Sequence, residues 1–182
     1  MTAATYGDNR GSTRLRAFPG SWRVDPARSH VSFASRVAGG PVRGRLALTG
    51  RVLIARPIED SEALLTARAD TLTTGSALLD QIITGPGFLD ADVFPEISFQ
   101  AELLVCVPSG WRAVGQLRVK GSEHPLACQL DVEPGGPRAG GESGITVTSR
   151  WALDSLWVTR QRIPALSRRI VMTCSVALTP EQ

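Results

Sequence analysis

From about Trp22 onward, apolar and polar residues alternate in short runs. In "VRGRLALTGRVLIA", Val42, Leu46, Leu48, Val52 and Ile54 take one parity, and Arg43, Arg45, Thr49 and Arg51 take the other. A period of two with one dry face predicts a half-buried strand. The pattern returns in "EISFQAELLVCV" (Ile97, Phe99, Ala101, Leu103, Val105), "WRAVGQLRVKG", "PLACQLDVE", "GITVTSRWAL" and "RRIVMTCSVAL". Adding "SHVSFASRV" and "EALLTARADTL" gives about eight strands, separated by turn signals such as "PSG" at 108–110 and "GGPRAGG" at 135–141. Short links favour antiparallel neighbours.

Two stretches break the alternation. "SALLDQIIT", residues 76–84, reads as a short helix capped by Ser76. "DSLWVTRQRIPALS", residues 154–167, reads as an irregular or helical insertion ended by Pro164. Residues 1–20 are polar and Arg-rich and read as a flexible arm, which leaves 21–180 as one domain. Such a set of strands makes either a sandwich or an up-and-down barrel. The barrel is favoured because closure removes exposed edges. The predicted class is therefore all-β: an eight-stranded antiparallel lipocalin-like barrel with one or two short helices, its interior filled or holding one small ligand.

Composition narrows the chemistry. No run approaches the roughly 18–20 apolar residues of a membrane-spanning helix, and the N-terminus lacks an apolar signal core, so the expected location is the cytoplasm. The three Cys show no CxxC; Cys128 and Cys174 share phase with apolar neighbours and read as buried thiols. His30 and His124 are the only imidazoles. His30 falls on a polar parity, and His124, before Pro125, reads as fixing a turn by a hydrogen bond. Asp90 and Asp92 flank a turn and read as Asx-turn residues rather than a proton-sharing pair. With no G-x-S-x-G elbow, and with Cys106 available as a third metal ligand beside the two His only if the strands align it, neither catalytic nor metal-ligating residues are assigned.

Phe88, Phe94 and Phe99 fall within twelve positions of a chain with few aromatics, a cluster that either plugs or lines something. The run "TLTTGSALLDQIITGPGFLDADVFPEISFQA", followed by "AVGQLRVKGSEHPLACQLDV", resembles the YceI-like, polyisoprenoid-binding family. Matching positions include Thr74, Gly75, Asp80, Phe88, Leu89, Asp90, Phe94, Pro95, Ile97, Phe99, Gly115, Leu117, Lys120, Gly121, His124 and Pro125. The opening "WRVDPARSHVSF" is similar to the family's start through Asp25, Pro26, Ser29, Val31 and Phe33. Arg28 and Gln81 stand where the family has His, and "SRWALDS" keeps only Arg150 of a late family motif.

The resemblance implies a lipocalin-like barrel with an apolar tunnel for an isoprenoid chain, and no catalytic residue. The ligand-binding residues it suggests are Phe33, Leu46, Phe88, Phe99, Leu117, Val119, Ile145, Val147, Ile170 and Met172. No cofactor is expected; an isoprenoid or isoprenoid quinone is the bound ligand implied. Two other readings stand beside the carrier: a filled barrel serving as a protein interaction module, and an enzyme acting on a bound lipid.

Charge suggests partners. Residues 1–56 hold ten Arg against two acids, 57–149 five basic against thirteen acidic residues, and 150–182 five Arg against two acids. Pairing of first and last strands is expected to bring Arg43, Arg45 and Arg51 towards Arg160, Arg162, Arg168 and Arg169. That face reads as a solvated surface or as a docking patch for an anionic membrane or a pyrophosphate head group. The partners expected are a lipid-like small molecule, an anionic membrane surface and a second copy in a homodimer. Nucleic acid is disfavoured, because exposed aromatics do not interleave the charges.

Overall fold

The computed structural model describes residues 18–137 and 143–181. The arm thus lies almost wholly outside the described residues, as do residues 138–142 of the Gly-rich turn. Nine strands alternate as the sequence predicts: β1 (Gly20–Val24), β2 (His30–Val37), β3 (Gly40–Ile54), β4 (Glu62–Arg68), β5 (Glu96–Val107), β6 (Gly110–Val119), β7 (Ser122–Pro137), β8 (Ser143–Asp154) and β9 (Arg169–Pro180). Two helices accompany them, α1 (Ala77–Thr84) and α2 (Leu156–Thr159).

Nine strands occupy eight places around a closed antiparallel barrel. β1 pairs with one half of β3 (Trp22↔Val52) and one end of β9 (Val24↔Leu178). β2 pairs with the other halves of the same two strands, Val31 facing Leu46 and Cys174. β1 and β2 therefore form a single interrupted stave between β3 and β9. The interruption is held by Ser29, which is buried; its Oγ accepts from the Ala177 amide at 2.9 Å. The ring closes where β3 also pairs with β4, from Leu48↔Ala67 to Leu53↔Glu62. All pairings are antiparallel, which permits the tight β2–β3, β5–β6 and β6–β7 connections.

The register corrects one reading. A β-bulge lies between Ala101 and Leu103, where β5 pairs Ala101 with Gly115 and then Leu103 with Val114. The extra residue reverses the parity beyond it, so Leu104 turns inward and is buried while Leu103 and Val105 face out. Gly115 is required here, since a Cβ would lie 1.9 Å from the Gln100 carbonyl oxygen. The β6–β7 hairpin turns on Lys120 (φ 49°) and Gly121 (φ 72°), the paired left-handed geometry of a tight hairpin turn.

The two ends of the barrel differ. Trp22, Ile58 and the fully buried Trp111 pack one end. The longer excursions, residues 69–95 and 155–168, lie at the other. There α1 begins as predicted, with Ser76 Oγ accepting from the Leu79 amide, and Asp80 accepts from the Thr74 amide (2.7 Å) and hydroxyl (2.6 Å). The insertion after β8 departs from expectation: α2 ends at Thr159 because Arg160 enters the left-handed region (φ 56°), four residues before Pro164.

Candidate functional site: an apolar cavity through the barrel

The inward parities of eight staves converge on one elongated cavity of about 340 Å³. It runs from Ser61 and Glu62 at the packed end to Leu79, Ile82 and Leu166 at the other. Phe33, Leu46, Phe88, Phe99, Leu117, Val119, Val147, Ile170 and Met172 all line it. Ile145 lies outside the lining, 1 % exposed and packed between Pro134 and Leu178. The Phe knot divides: Phe88 and Phe99 face the cavity, while Phe94 sits under the Arg160 guanidinium, 5.3 Å from the ring centre. Phe33 lies across Gly44, where a Cβ would come within 2.5 Å of the ring.

The end of the cavity near α1 is its mouth. α1 buries none of its residues, although Leu79, Ile82 and Ile83 line the cavity; Leu78 is 67 % and Ile82 46 % exposed. Apolar contact is what holds a short helix in place, so α1 is a weakly seated cover. The loop after it is fastened differently. The Lys120 side chain is buried, and its Nζ donates to the carbonyls of Phe88 (2.5 Å) and Pro86 (3.4 Å). Burial pulls the Lys120 ammonium below the usual lysine range; nearby Arg160 adds to the effect and Asp90 opposes it. Lys120 thus ties the Phe88 segment to the β6–β7 hairpin.

Several side chains behave differently from expectation. His124 makes no turn-fixing hydrogen bond: its ring stacks on Trp157 at 4.1 Å, and its Nε2 is buried without a partner. Asp90 shapes its turn through backbone geometry, with φ 54° and a carbonyl that accepts from Val93 and Phe94. Cys128 and Cys174 are buried and line the cavity, and burial pushes their thiols up to about 11 and about 12 respectively. Cys106 is exposed. Among the described residues no three His, Cys, Asp or Glu side chains come together as a metal site. No described helix is long and apolar enough to cross a membrane.

The basic segments meet in a different arrangement from the one expected. Arg43, Arg45 and Arg51 are on β3, one stave removed from β9; Arg43 faces Ala34, which faces Val171. Arg160 is tucked against Phe94 and donates to the Lys120 carbonyl. What does form is a row across the outer wall, Arg45–Ser32–Thr173–Arg150. Arg43, Arg45 and Arg150 border a shallow groove floored by Ser32, Ala34, Val171 and Thr173.

Sequence reasoning missed Leu79 and Ile83 of the cover, and Ser35 and Trp151 on the walls. The i, i+4 spacing of Leu79 and Ile83 was an available signal, because it places both on one helical face.

Similar proteins agree with this architecture. BcnA of Burkholderia cenocepacia superposes with a TM-score of 0.73 at 17% identity, covering 86% of this chain and 99% of its own. A polyisoprenoid binding domain from Saccharophagus degradans, implicated in plant cell wall breakdown, gives 0.66 at 14% identity, over 88% and 98% of the two chains. The YceI protein of Campylobacter jejuni gives 0.66 at 14%, over 78% and 85%. At these identities the likeness concerns the fold. No curated protein matches the sequence. The model of the YceI-like domain matches residues 22–169, a span that takes in most of β1, all of β2 to β8 and the first residue of β9, and the chain belongs to the YceI-like family.

Proposed function

We propose that the protein binds and carries an isoprenoid or similar long apolar molecule without altering it. The observation that carries this reading is the cavity itself: some 340 Å³ of space walled almost entirely by aliphatic and aromatic side chains. A filled barrel, the interaction-module alternative, would leave no such space. The enzyme alternative lacks support, since neither imidazole lines the cavity. The Saccharophagus domain of the same fold is described as polyisoprenoid binding, which fits.

Size sets limits. At roughly 30 Å³ per heavy atom, the share of a liquid water molecule, the cavity holds about eleven heavy atoms, or two isoprene units. Burying eleven carbons at about 0.8 kcal/mol each gives at most about 9 kcal/mol, against about 8 kcal/mol for micromolar affinity. A longer chain would extend past α1. The exposed aliphatic residues there, with the arginine-lined wall beside them, suit loading from an anionic bilayer. Among the described residues, Arg43, Arg45 and Arg150 have no acidic partner.

Titrating delipidated protein with geraniol or farnesol tests the reading through Trp emission. A saturable change is expected in the wild type and its loss in Phe99→Asp, which sets a carboxylate in the apolar wall. No saturable response in the wild type, or identical curves for both proteins, refutes the carrier reading.

A further inference from the structure

The polar atoms of the cavity are not equivalent. Ser61 Oγ accepts from the Ala55 amide at 3.0 Å, and Ser149 hydrogen-bonds Cys128. Ser35 Oγ and Trp151 Nε1 are buried without any partner. Both side chains line the cavity. The register places them in neighbouring layers on either side of β9: Trp151 faces Met172, Met172 faces Phe33, and Ser35 follows two residues after Phe33 on the same face. The third unpaired atom, His124 Nε2, belongs to a residue outside the lining.

Buried donors are rarely left unbonded in native interiors. An indole N–H only donates, and a hydroxyl donates or accepts. We infer that Trp151 and Ser35 form a polar anchor for an uncharged carbonyl oxygen on the ligand, an assignment that rests on the cavity being a binding site as proposed above. The group is uncharged because no Arg or Lys lines the cavity, and the ionisable carboxylate that does, Glu62, lies at the packed end. The Lys120 ammonium is already engaged by Phe88 and Pro86. A phosphate inside would be a buried charge without a counterion. The ligand class is therefore an isoprenoid ketone or a ring carbonyl on an isoprenoid chain, and a charged head group stays outside.

Matched probes test the anchor: geranylacetone, and the hydrocarbon in which CH₂ replaces its C=O. Wild type should bind the ketone about tenfold more tightly, a difference of about 1.4 kcal/mol. Trp151→Phe and Ser35→Ala should each erase most of that preference while leaving hydrocarbon affinity within about twofold, which shows that the cavity is intact. In the infrared, ¹³C-labelled ketone bound to wild type should show a lowered C=O stretch that returns towards its free value in Trp151→Phe. Equal affinity for ketone and hydrocarbon in the wild type, or an unshifted stretch, overturns the anchor while leaving the cavity reading standing. Tighter binding of geranyl pyrophosphate than of the ketone overturns the uncharged assignment. If neither geranylacetone nor its hydrocarbon binds, the cavity reading falls and the anchor with it.

Discussion

Ligand length offers a direct measurement of the cavity. In the series prenol, geraniol, farnesol and geranylgeraniol, each isoprene unit adds five carbons, worth at most about 4 kcal/mol if wholly buried. The cavity of about 340 Å³ is full at about eleven heavy atoms, which geraniol just supplies. Affinity should therefore climb steeply from one unit to two and then flatten, because the third and fourth units must lie among solvent-exposed residues such as Leu78 and Ile82. A gain below about 1 kcal/mol per added unit beyond geraniol is the expected plateau, read by competition against a fluorescent fatty probe so that solubility does not limit the range. Val147→Phe adds four heavy atoms to the wall, roughly 120 Å³, and should move the break to between one and two units. An undiminished gain through four units in the wild type would show that α1 does not bound the site. A break unmoved by Val147→Phe would show that the bound chain lies elsewhere.

Three further outcomes follow from surface and core. Liposome flotation should require anionic lipid, fade within a few hundred millimolar salt, and weaken at least threefold when Arg43, Arg45 and Arg150 become Ser; salt-insensitive flotation, or none, removes the docking reading. A thiol reagent at pH 8 should modify Cys106 rapidly and Cys128 and Cys174 only on unfolding. Because both buried thiols titrate above the ordinary 9.0, the folded chain keeps protons that the unfolded chain releases. Their stabilising contribution is full below pH 9 and is lost as pH rises, towards about 11 for Cys128 and about 12 for Cys174, a loss on the order of 1 kcal/mol per thiol by pH 10. Urea midpoints at pH 8 and 10 should show this loss in wild type and a smaller one in Cys128→Ala/Cys174→Ala. Parallel pH dependence in the two proteins contradicts it.

Alternation carried most of the fold, because a barrel with a dry interior demands period two on every stave. It failed at "AELLVCV", where Leu103, Leu104 and Val105 are all apolar and periodicity has nothing to discriminate; only the register reveals the bulge. Counting strands also fell short at the Asp25–Ser29 turn, since two strands lying end to end share one stave. The walls of the cavity were legible through inward parity. Ile145 shares that parity yet lies beyond the empty space, and parity cannot tell a packed layer from an open one. Trp151 was hidden for another reason: it stands in "SRWALDS", where the chain departs from the family pattern, so the resemblance could not assign it a place.

The interrupted stave also bears on how the chain is made. β9 follows every other described strand, yet it closes the ring by pairing His30 with Ser175 and Val24 with Leu178. During synthesis β2 to β8 can pair with their sequence neighbours as they emerge, forming a curled sheet with two free edges. Such an intermediate presents its apolar inner face and unpaired strand groups to whatever is nearby. The enclosed space arises only when β9 is released and enters between β8 and the β1–β2 stave. A hydrophobic molecule met before that moment would be captured by closure itself, without ever passing the mouth.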